Sequence, residues 1–446
     1  MTPESIQAVE ESRLSSLGPI PTHWDVVRLR FCAMINPSRS EVNMLPDDME
    51  VSFVPMDAVH EFGGLRLEQT QVLAEVVTDY TYFRDGDIVV AKITPSFENG
   101  KGAIAKGLTN GLAFGTTELH VLRPQDTLDP MFLFYVTISH PFRSIGTAYM
   151  YGAAGQKRVP GDFLLDFCQP IPPLNEQKAI AAFLDTETSR IDALIEKKHR
   201  QIELLQEKRV ALISHAVTKG LDPNAPMRDS GISWLGEMPT TWRKVRLKYL
   251  VQFMSGGTPD TSRLEYWGGA IPWASPKDMK RLRLTDTQDY ITKTAVEESA
   301  TAIVPEGTLL IVVRSGILQH TLPVAIVSQP MAINQDIKGL VPRTNGIDSE
   351  YLARFVEGHN SQLLCEWRKE GTTVESLEVP LIADFEMVLP CLDEQRAIVN
   401  FLDREINRMD ILVEKIDLSI ELLREYRTAL ISAAVTGKID VRKEVA

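Results

Sequence analysis

The residue types that most often carry catalysis are present in this chain, but their spacing matches no catalytic or metal-binding pattern. Two histidines one helical turn apart, as in HExxH, would hold zinc and activate water, and the sequence has no such pair. The cysteines lack CxxC spacing, which argues against structural zinc and indicates a reducing compartment. The histidines and cysteines are His23, His60, His120, His140, His199, His215, His320, His359, Cys32, Cys168, Cys365 and Cys391. We therefore predict no metal site.

Two further segments approach a catalytic motif without completing it. Gly100-Lys101-Gly102 lacks the upstream glycine and the following hydroxyl residue with which a P-loop holds phosphates. The segment that begins at Asn36-Pro37 lacks the second proline and the aromatic ring of the Asn-Pro-Pro-aromatic motif of adenine amino-methyltransferases. A carboxylate pair acting as a nuclease stays open, although no pair stands out. The sequence favours a recognition or scaffold protein over an enzyme, and we predict no catalytic residue.

The elements that must position any functional residue are organised by an internal repeat. Residues Leu174 to Asp222 and Leu392 to Asp440 align without a gap at an offset of 218, and 28 of the 49 aligned positions are identical. Trp24 and Trp242 are related by the same offset, and we assign them to packing rather than to base stacking. The chain is a tandem duplication, and a duplicated unit can bind a target that itself has two halves.

Each repeated segment has the pattern of a long coiled-coil helix. We predict Asn175 and Asp393 as the N-caps, and a proline-free run then continues to Thr218 or Thr436. About 43 residues of helix are roughly 65 Å long. The seven-residue apolar spacing includes Leu184, Ile191, Leu205, Leu212, Leu402, Met409, Ile416, Leu423 and Leu430. Because a helix with one apolar stripe is not stable alone, we predict that the two copies pack on each other rather than serve as separate core helices.

Short strands are predicted in the segments outside the helices. Runs such as GDIVVAKI, TELHVLRP, GTLLIVVRSG and PVAIVSQ are bounded by glycine and proline, which is typical of strands in an α/β or mostly-β domain. We therefore predict two mixed α/β (α+β) domains and two helical regions. The predicted boundaries are 1–171 and 223–389 for the domains, and 172–222 and 390–446 for the helical regions.

The bulk composition of the 446-residue chain is that of a globular protein, with 44% hydrophobic and 24% charged residues. No segment reaches the roughly 18 apolar residues of a membrane-spanning helix, and the polar, acidic N-terminus is unlike a secretory signal. We therefore expect a cytoplasmic protein without a membrane partner. The net charge of −13 argues against general affinity for nucleic acid. Any DNA contact must come from local clusters or from partner subunits.

Several short motifs occur twice and together resemble one family. They are the PIPPLNEQ and LPCLDEQ starts, the FLD steps at Phe183 and Phe401, the ELLxExR core and the terminal ALISxAVT. With the WxxxRL segments at Trp24 and Trp242, they resemble the specificity (S) subunit of type I restriction-modification enzymes. The resemblance covers nearly the whole chain.

The resemblance implies two pseudo-two-fold-related target-recognition domains, separated by a pair of long antiparallel helices that set the spacer of a bipartite, asymmetric DNA target. Double-stranded DNA and two methyltransferase subunits are the implied partners, and motor-nuclease restriction subunits join through the complex. S-adenosylmethionine, ATP and Mg²⁺ are then expected on partner subunits, with none on this chain. The chain itself is expected to be non-catalytic and to act in the bacterial or archaeal cytoplasm.

In the first domain, loops with hydrogen-bond donors, basic groups and glycine are candidates for DNA contact. Lysine can reach phosphate or guanine, asparagine can pair with adenine, and glycine lets the backbone approach phosphates. The candidates are Lys92, Thr94, Ser96, Asn99, Lys101, Gln156, Lys157 and Arg158. A polar surface loop without a DNA role stays open as the alternative.

In the second domain, the candidates surround the densest basic cluster of the chain and the end of a predicted strand. A basic run is often only a solvated surface, but a tryptophan and a serine nearby favour DNA contact here. The candidates are Thr258, Trp273, Ser275, Lys277, Lys280, Arg281, Arg283, Arg314 and Ser315.

Charged helix positions retained in both copies are candidates for methyltransferase docking, because a merely solvated surface could drift between copies. They are Arg190, Asp192, Glu196, Glu203, Arg408, Asp410, Glu414 and Glu421. Three other functions stay open. They are a single-chain restriction-methylation enzyme with a hidden site, a coiled-coil scaffold without DNA binding, and an inactive or phase-variable recombination partner with the same fold.

Overall fold

The chain folds into two compact units, each of which combines parts of both repeats. Unit 1 is 1–198 with 417–446, and unit 2 is 199–416. Each unit therefore holds most of one repeat together with half of the long helix from the other. The four segment boundaries given by the sequence stay a prediction. The structure, a computed structural model, describes residues 19–153, 155–343, 346–369 and 374–441.

Unit 1 is built on two four-stranded sheets. Its described strands are β1 (Asp25–Arg28), β2 (Ala33–Ile35), β3 (Glu50–Val54), β4 (Thr70–Val72), β5 (Thr81–Arg84), β6 (Ile88–Ala91), β7 (Gly102–Ile104), β8 (Leu112–Gly115), β9 (Leu119–Pro124) and β10 (Cys168–Ile171). Its described short helices are α1 (Leu73–Val76), α2 (Pro130–Ile138), α3 (His140–Ala148) and α4 (Gly161–Asp166). The sheet orders are β2-β9-β6-β7 and β4-β3-β8-β5, while β1 pairs with β10.

Strand β6 lies inside the first sheet of unit 1. All four of its residues are apolar and buried, as expected for a strand covered on both faces. It pairs antiparallel with β9, with Ile88 opposite Leu122 and Ala91 opposite Leu119. This register brings the segment that follows β6 beside the residue that precedes β9.

Unit 2 repeats this order and adds strands. Its strands are β11 (Met227–Asp229), β12 (Glu237–Pro239), β13 (Arg243–Arg246), β14 (Val251–Ser255), β15 (Trp267–Ala274), β16 (Arg283–Leu284), β17 (Asp289–Ile291), β18 (Ala302–Val304), β19 (Leu309–Val312), β20 (Val324–Val327), β21 (Met331–Ile333), β22 (Ile337–Pro342) and β23 (Glu386–Leu389). The sheet orders are β14-β22-β19-β20-β16 and β17-β15-β21-β18, with β13 paired to β23 and β11 to β12. Strands β14, β22, β19 and β20 take the places that β2, β9, β6 and β7 have in unit 1.

Two long helices, α5 (Leu174–Lys219) and α11 (Leu392–Val435), contain 46 and 44 residues. The remaining helices of unit 2 are α6 (Leu247–Leu250), α7 (Lys293–Glu298), α8 (Ser349–Gly358), α9 (Asn360–Trp367) and α10 (Val379–Asp384). The predicted N-caps are wrong. Because the long helices already begin at Leu174 and Leu392, Asn175 and Asp393 lie inside the first turn.

Within each unit, the two long-helix segments run antiparallel. In unit 1, Leu184 shares a core with Ile431 and Ala434, while Asp192, further along α5, contacts Arg427, earlier in α11. In unit 2, Arg209 contacts Asp410, while Ala216 shares a core with Leu402. The predicted seam residues are buried or half-buried in both copies. The prediction of two mixed α/β domains with an antiparallel helix pair is therefore confirmed.

Candidate nucleic-acid interface and docking surface

Unit 1 brings its two predicted DNA-contact loops together. Ile93, just after β6, forms an isolated antiparallel β-bridge with Arg158. The Thr94 amide donates to the Lys157 carbonyl at 3.0 Å, and the Val159 amide donates to the Lys92 carbonyl at 2.9 Å. Two segments separated by some sixty residues of sequence thus form one surface, as a common DNA-contact site requires.

Several candidate side chains in unit 1 hold the loops in shape. Thr94 Oγ1 donates to the Lys157 carbonyl at 3.3 Å, and Asn99 Nδ2 donates to a Glu61 carboxylate oxygen at 3.1 Å. Lys101 Nζ donates to a backbone carbonyl at 3.3 Å. Ser96 is half-buried, and Asn99 is exposed but held by Glu61, whereas Gln156 and Lys157 are exposed on the second loop. The last two are therefore the candidates most accessible to a ligand.

A compact charge cluster lies where the two loops of unit 1 meet. Arg158 donates from Nε and Nη2 to the carboxylate of Glu118, at 2.9 and 2.7 Å. The hydrogen bonds from Arg158 hold the pKa of Glu118 below its usual range. Burial lowers the pKa of Lys92, and the nearby guanidinium of Arg158 lowers it as well. In this cluster, Glu118 holds the guanidinium of Arg158 in place, and the nearby ammonium group of Lys92 is partly removed from solvent.

Unit 2 has a cleft of about 900 Å³ that gathers five of its predicted residues. Arg314 Nε donates to an Asp336 carboxylate oxygen at 2.7 Å at the rim of this cleft. Lys369, which was not predicted, also lines the cleft. The predicted residues in the cleft are Trp273, Ser275, Lys277, Arg314 and Ser315.

Three candidates in unit 2 have structural roles. Trp273 is 7% exposed and donates its indole N–H to the Gly257 carbonyl at 3.0 Å, so it lines the cleft as a core residue rather than as a stacking platform. Ser275 is buried and forms a capping box with Asp278. Thr258 is exposed but donates to the Gln335 side chain. The two clearest signals for DNA contact near Lys277 are thus explained by packing and capping.

The basic cluster of unit 2 does not form one surface. Lys280, Arg281 and Arg283 line a second cleft of about 860 Å³, whose other wall carries acidic side chains, whereas Lys277 lines the first. Met279, between the lysines, is buried and lines the second cleft. Arg283 forms an ion pair with one of those acidic side chains, Glu350.

The candidate sites of the two units occupy the same place in the repeated fold. In unit 1, the bridge that joins Ile93 to Arg158 follows β6, and in unit 2 a bridge from Arg314 to Ser376 follows β19. Strands β6 and β19 hold corresponding places in their sheets. Sites chosen separately from the sequence are therefore equivalent in structure, although their side chains differ.

Two of the eight docking candidates form ion pairs between the two long helices, although their own side chains are 55% and 52% exposed. Asp192 accepts from Arg427 at 3.0 Å, and Asp410, at the repeat-related position, accepts from Arg209 at 2.7 Å. A repeated helix–helix ion pair thus accounts for their retention in both copies as well as docking does, and their assignment to docking stays a prediction.

The other docking candidates lie on exposed helix surface. Arg190 pairs with Glu187 at 3.8 Å, and Arg408 pairs with Glu405 at 2.7 Å, so the two copies carry the same surface ion pair. Glu203 pairs with an arginine one turn earlier. The acidic candidates are all exposed: Glu196, Glu203, Glu414 and Glu421.

Sequence reasoning missed a set of exposed leucines on the long helices. Leu194 and its repeat partner Leu412 are 40% and 46% exposed, while Leu204 and its partner Leu422 are 48% and 56% exposed. Large apolar side chains retained at exposed positions are typical of a docking surface. The signal was available, because all four are leucines at the 218-residue offset.

Sequence reasoning also missed a buried glutamine in each NEQ or DEQ motif. Gln177 accepts from the Asp129 amide at 2.8 Å and donates to the Thr127 and Pro172 carbonyls. Gln395 makes the same set of contacts in unit 2, with the Asp348 amide at 2.8 Å and two carbonyls. This glutamine ties the start of each long helix to its domain.

Neither a metal-binding cluster nor a membrane-spanning helix occurs among the residues that the structure describes. In that part of the chain, no group of three or more histidine, cysteine or acidic side chains could hold a metal ion. No described helix is long and apolar enough to cross a membrane.

Comparison with known proteins identifies the family. A family model for the type I restriction modification DNA specificity domain matches residues 62–204 and 239–422, which together exceed half of the chain. The chain therefore belongs to the type I restriction-modification specificity family, which the repeated motifs had predicted.

The relatives divide into partial and full-length matches. The specificity subunit of the Escherichia coli type I restriction enzyme EcoEI is 42% identical over 163 residues, covering 36% of this chain and 27% of the relative. The putative type I restriction enzyme MjaX specificity subunit of Methanocaldococcus jannaschii is 23% identical over 443 residues, covering 97% of each chain. A chain solved in a study of type I R-M assembly and conformational transition matches with a TM-score of 0.74 at 18% identity, covering 94% of this chain and all of that one, which shows the fold.

Proposed function

We propose that this chain is the DNA-recognition subunit of a type I restriction-modification complex, and that each unit reads one half of a bipartite, asymmetric sequence. The observation that carries the proposal is the pair of equivalent sites after β6 and β19, which share a backbone frame but carry different side chains. A shared frame suits one way of approaching DNA, and different side chains suit two different half-sites.

We further propose that the repeated helix surface docks two methyltransferase subunits. The repeated Glu–Arg pairs and the repeated exposed leucines support this, because two copies of one partner require two copies of one surface. The net charge of −13 implies that the partner subunits supply much of the phosphate contact. S-adenosylmethionine, ATP and Mg²⁺ would then act on methyltransferase and restriction subunits, in the bacterial or archaeal cytoplasm.

The proposal is tested by expressing the chain with its methyltransferase subunit and mapping modified adenines in the host DNA. We expect methylation within a sequence of two short halves separated by a fixed spacer. Neither protein alone should produce it. Methylation without a split sequence, or by this chain alone, would contradict the proposal.

A domain exchange tests whether one unit reads one half. Replacement of residues 1–171 by the corresponding domain of another family member should change one half of the methylated sequence and keep the other half and the spacer. The matched control replaces residues 223–389 and should change the opposite half. If either exchange altered both halves, the assignment of one half to each unit would be wrong.

A further inference from the structure

Both candidate sites contain an arginine–carboxylate pair, with the carboxylate at the same position of the repeated fold. Glu118 directly precedes β9 in unit 1, and Asp336 directly precedes β22 in unit 2. These strands hold corresponding places in their sheets. Glu118 binds Arg158 at 2.7 Å, and Asp336 binds Arg314 at 2.7 Å.

The arginines come from opposite sides of one β-bridge. In unit 1, the bridge joins Ile93 to Arg158, so the arginine is on the later segment. In unit 2, it joins Arg314 to Ser376, so the arginine is on the earlier segment. The pair is therefore present in both units even though the arginine has changed places across the bridge.

The exposure of the pair indicates which member is presented to a ligand. The side chains of Arg158 and Arg314 are 42% and 56% exposed, whereas those of Glu118 and Asp336 are 23% and 21% exposed. An exposed ion pair adds little to stability, so stability alone does not account for its recurrence. In both units, the less exposed carboxylate fixes a more exposed guanidinium.

The observed contacts leave one edge of each guanidinium available. Arg158 uses Nε and Nη2 toward Glu118, and Arg314 uses Nε toward Asp336. Within the part of the chain that the structure describes, neither Nη1 atom makes a hydrogen bond. A guanidinium can still offer two parallel N–H donors from its Nη1 and Nη2 edge, which match O6 and N7 of guanine in the major groove.

We propose that Arg158 and Arg314 each read a guanine, one in each half of the DNA target, and that Glu118 and Asp336 are positioning residues. The inference rests on the proposed function, because it presupposes that each unit reads one half. Since the arginines enter from opposite sides of the bridge, the two guanines need not hold corresponding places in their halves.

The test uses the full chain assembled with its methyltransferase subunits and the target mapped by adenine methylation. Binding is measured to the target and to duplexes in which each base pair of both halves is replaced in turn. For the wild type, replacement of a guanine read by one of these arginines should weaken binding about 10- to 100-fold. Arg314→Ala should remove that discrimination at one guanine in one half, and Arg158→Ala at one guanine in the other.

A matched control separates base reading from the loss of any exposed arginine. Arg263, whose side chain is 50% exposed like those of the two site arginines, forms an ion pair with Glu298 at 3.2 Å in unit 2. Arg263→Ala should leave the base preference unchanged at every position. Thermal unfolding and complex assembly are measured for all variants, so that a folding defect is recognised as such.

The positioning role has its own readout. Glu118→Gln and Asp336→Asn keep the side-chain shape but remove one negative charge from an acidic protein. We expect binding to unrelated DNA to strengthen while discrimination at the corresponding guanine falls. A purely structural role would shift the unfolding temperature without this opposite change in the two affinities.

Two negative outcomes are distinguishable. In the first, Arg158→Ala and Arg314→Ala weaken binding equally on all sequences, and the salt dependence of binding falls by about one phosphate contact. The arginines would then contact phosphates rather than guanines, and the inference would be overturned. The split target itself would persist in that case. If the wild-type complex read no split target, the proposed function would fail first.

Discussion

The long helices and the loops after β6 and β19 were duplicated together, yet the two regions retain different features of the original repeat. The helices retain residue types and contacts, as in Asp192 with Arg427 and its counterpart Asp410 with Arg209. The loops retain a β-bridge and a carboxylate position while the side chains around them have changed. Residue identity is therefore retained at contacts that both repeats make, whereas the loops retain positions at which the side-chain chemistry has diverged.

The largest loss of stability should come from substitution of the two buried glutamines, which make the same contacts in both units. Gln177→Ala and Gln395→Ala each leave one half-buried backbone amide and two backbone carbonyls without their partner, so each should lower the free energy of unfolding by about 2–4 kcal/mol. Chemical denaturation of the full chain measures the change. Gln206→Ala, at an exposed helix position, is the control and should change stability by less than about 0.5 kcal/mol. Unequal effects at Gln177 and Gln395 would show that the repeated contacts are not energetically equivalent.

The second largest loss of stability is expected at acidic pH, because unit 2 contains a buried histidine. Burial lowers the pKa of His359 to about 4, and its ring nitrogens contact Ser214 and Thr218. Because the unfolded chain takes up this proton near pH 6.5, stability should fall as the pH drops from about 6.5 to about 4, by about 2 kcal/mol between pH 7 and pH 5. Denaturation at these two pH values tests this.

The variant His359→Gln should remove the loss of stability between pH 7 and pH 5 that is expected from this histidine. His140→Gln, at an exposed position of unit 1, should leave the pH dependence as it is in the wild type. Equal pH profiles for the wild type and His359→Gln would mean that His359 does not carry the acid sensitivity.

The third effect is a difference in stability between variants of the two repeat-related ion pairs. Arg427 is only 10% exposed, so Asp192→Ala leaves a nearly buried charge unpaired and should cost about 1–2 kcal/mol, reduced because Asp192 is itself 55% exposed. Arg209 is 34% exposed and also contacts Glu357 at 3.5 Å, so Asp410→Ala should cost less than about 1 kcal/mol. Thermal denaturation of the two variants decides the order, and the reverse order would refute this account.

The smallest effect on stability, but a clear effect on assembly, is expected from the repeated leucines. Leu194→Ser and Leu412→Ser should change the free energy of unfolding by less than about 0.5 kcal/mol and weaken methyltransferase binding about fivefold or more. Leu418 is 56% exposed, but the repeat-related residue is Arg200, so Leu418→Ser is the matched control. Calorimetric titration compares the three. Equal loss from Leu418→Ser would contradict docking on the repeated positions.

Much of the framework followed from the sequence, because it depends on local periodicity. The seven-residue spacing gave the long helices and their seam, and apolar runs bounded by glycine gave strands β6, β9, β19 and β20. The N-cap assignments of Asn175 and Asp393 were too late by two residues, because the chain enters the helix directly after Pro173 and Cys391.

The arrangement of side chains in the sites was less predictable, because it depends on pairing between distant segments. Nothing in the spacing distinguishes a Trp273 that faces DNA from one that packs in a core and donates to Gly257. Retention of Asp192 in both copies is equally compatible with docking and with an ion pair to Arg427, 235 residues away. The repeated exposed leucines could have been found from the sequence only by listing apolar identities that fall outside the seam.

The division of each long helix between two units has a consequence for biosynthesis. The core of unit 1 includes Ile431, Ala434, Val435 and Val441, near the end of the chain, whereas unit 2 lies wholly within residues 199–416. On the ribosome, the first domain therefore emerges early but keeps an apolar surface uncovered while all of unit 2 is being translated. Of the two units, the one whose synthesis begins earlier is therefore the one whose core is completed later.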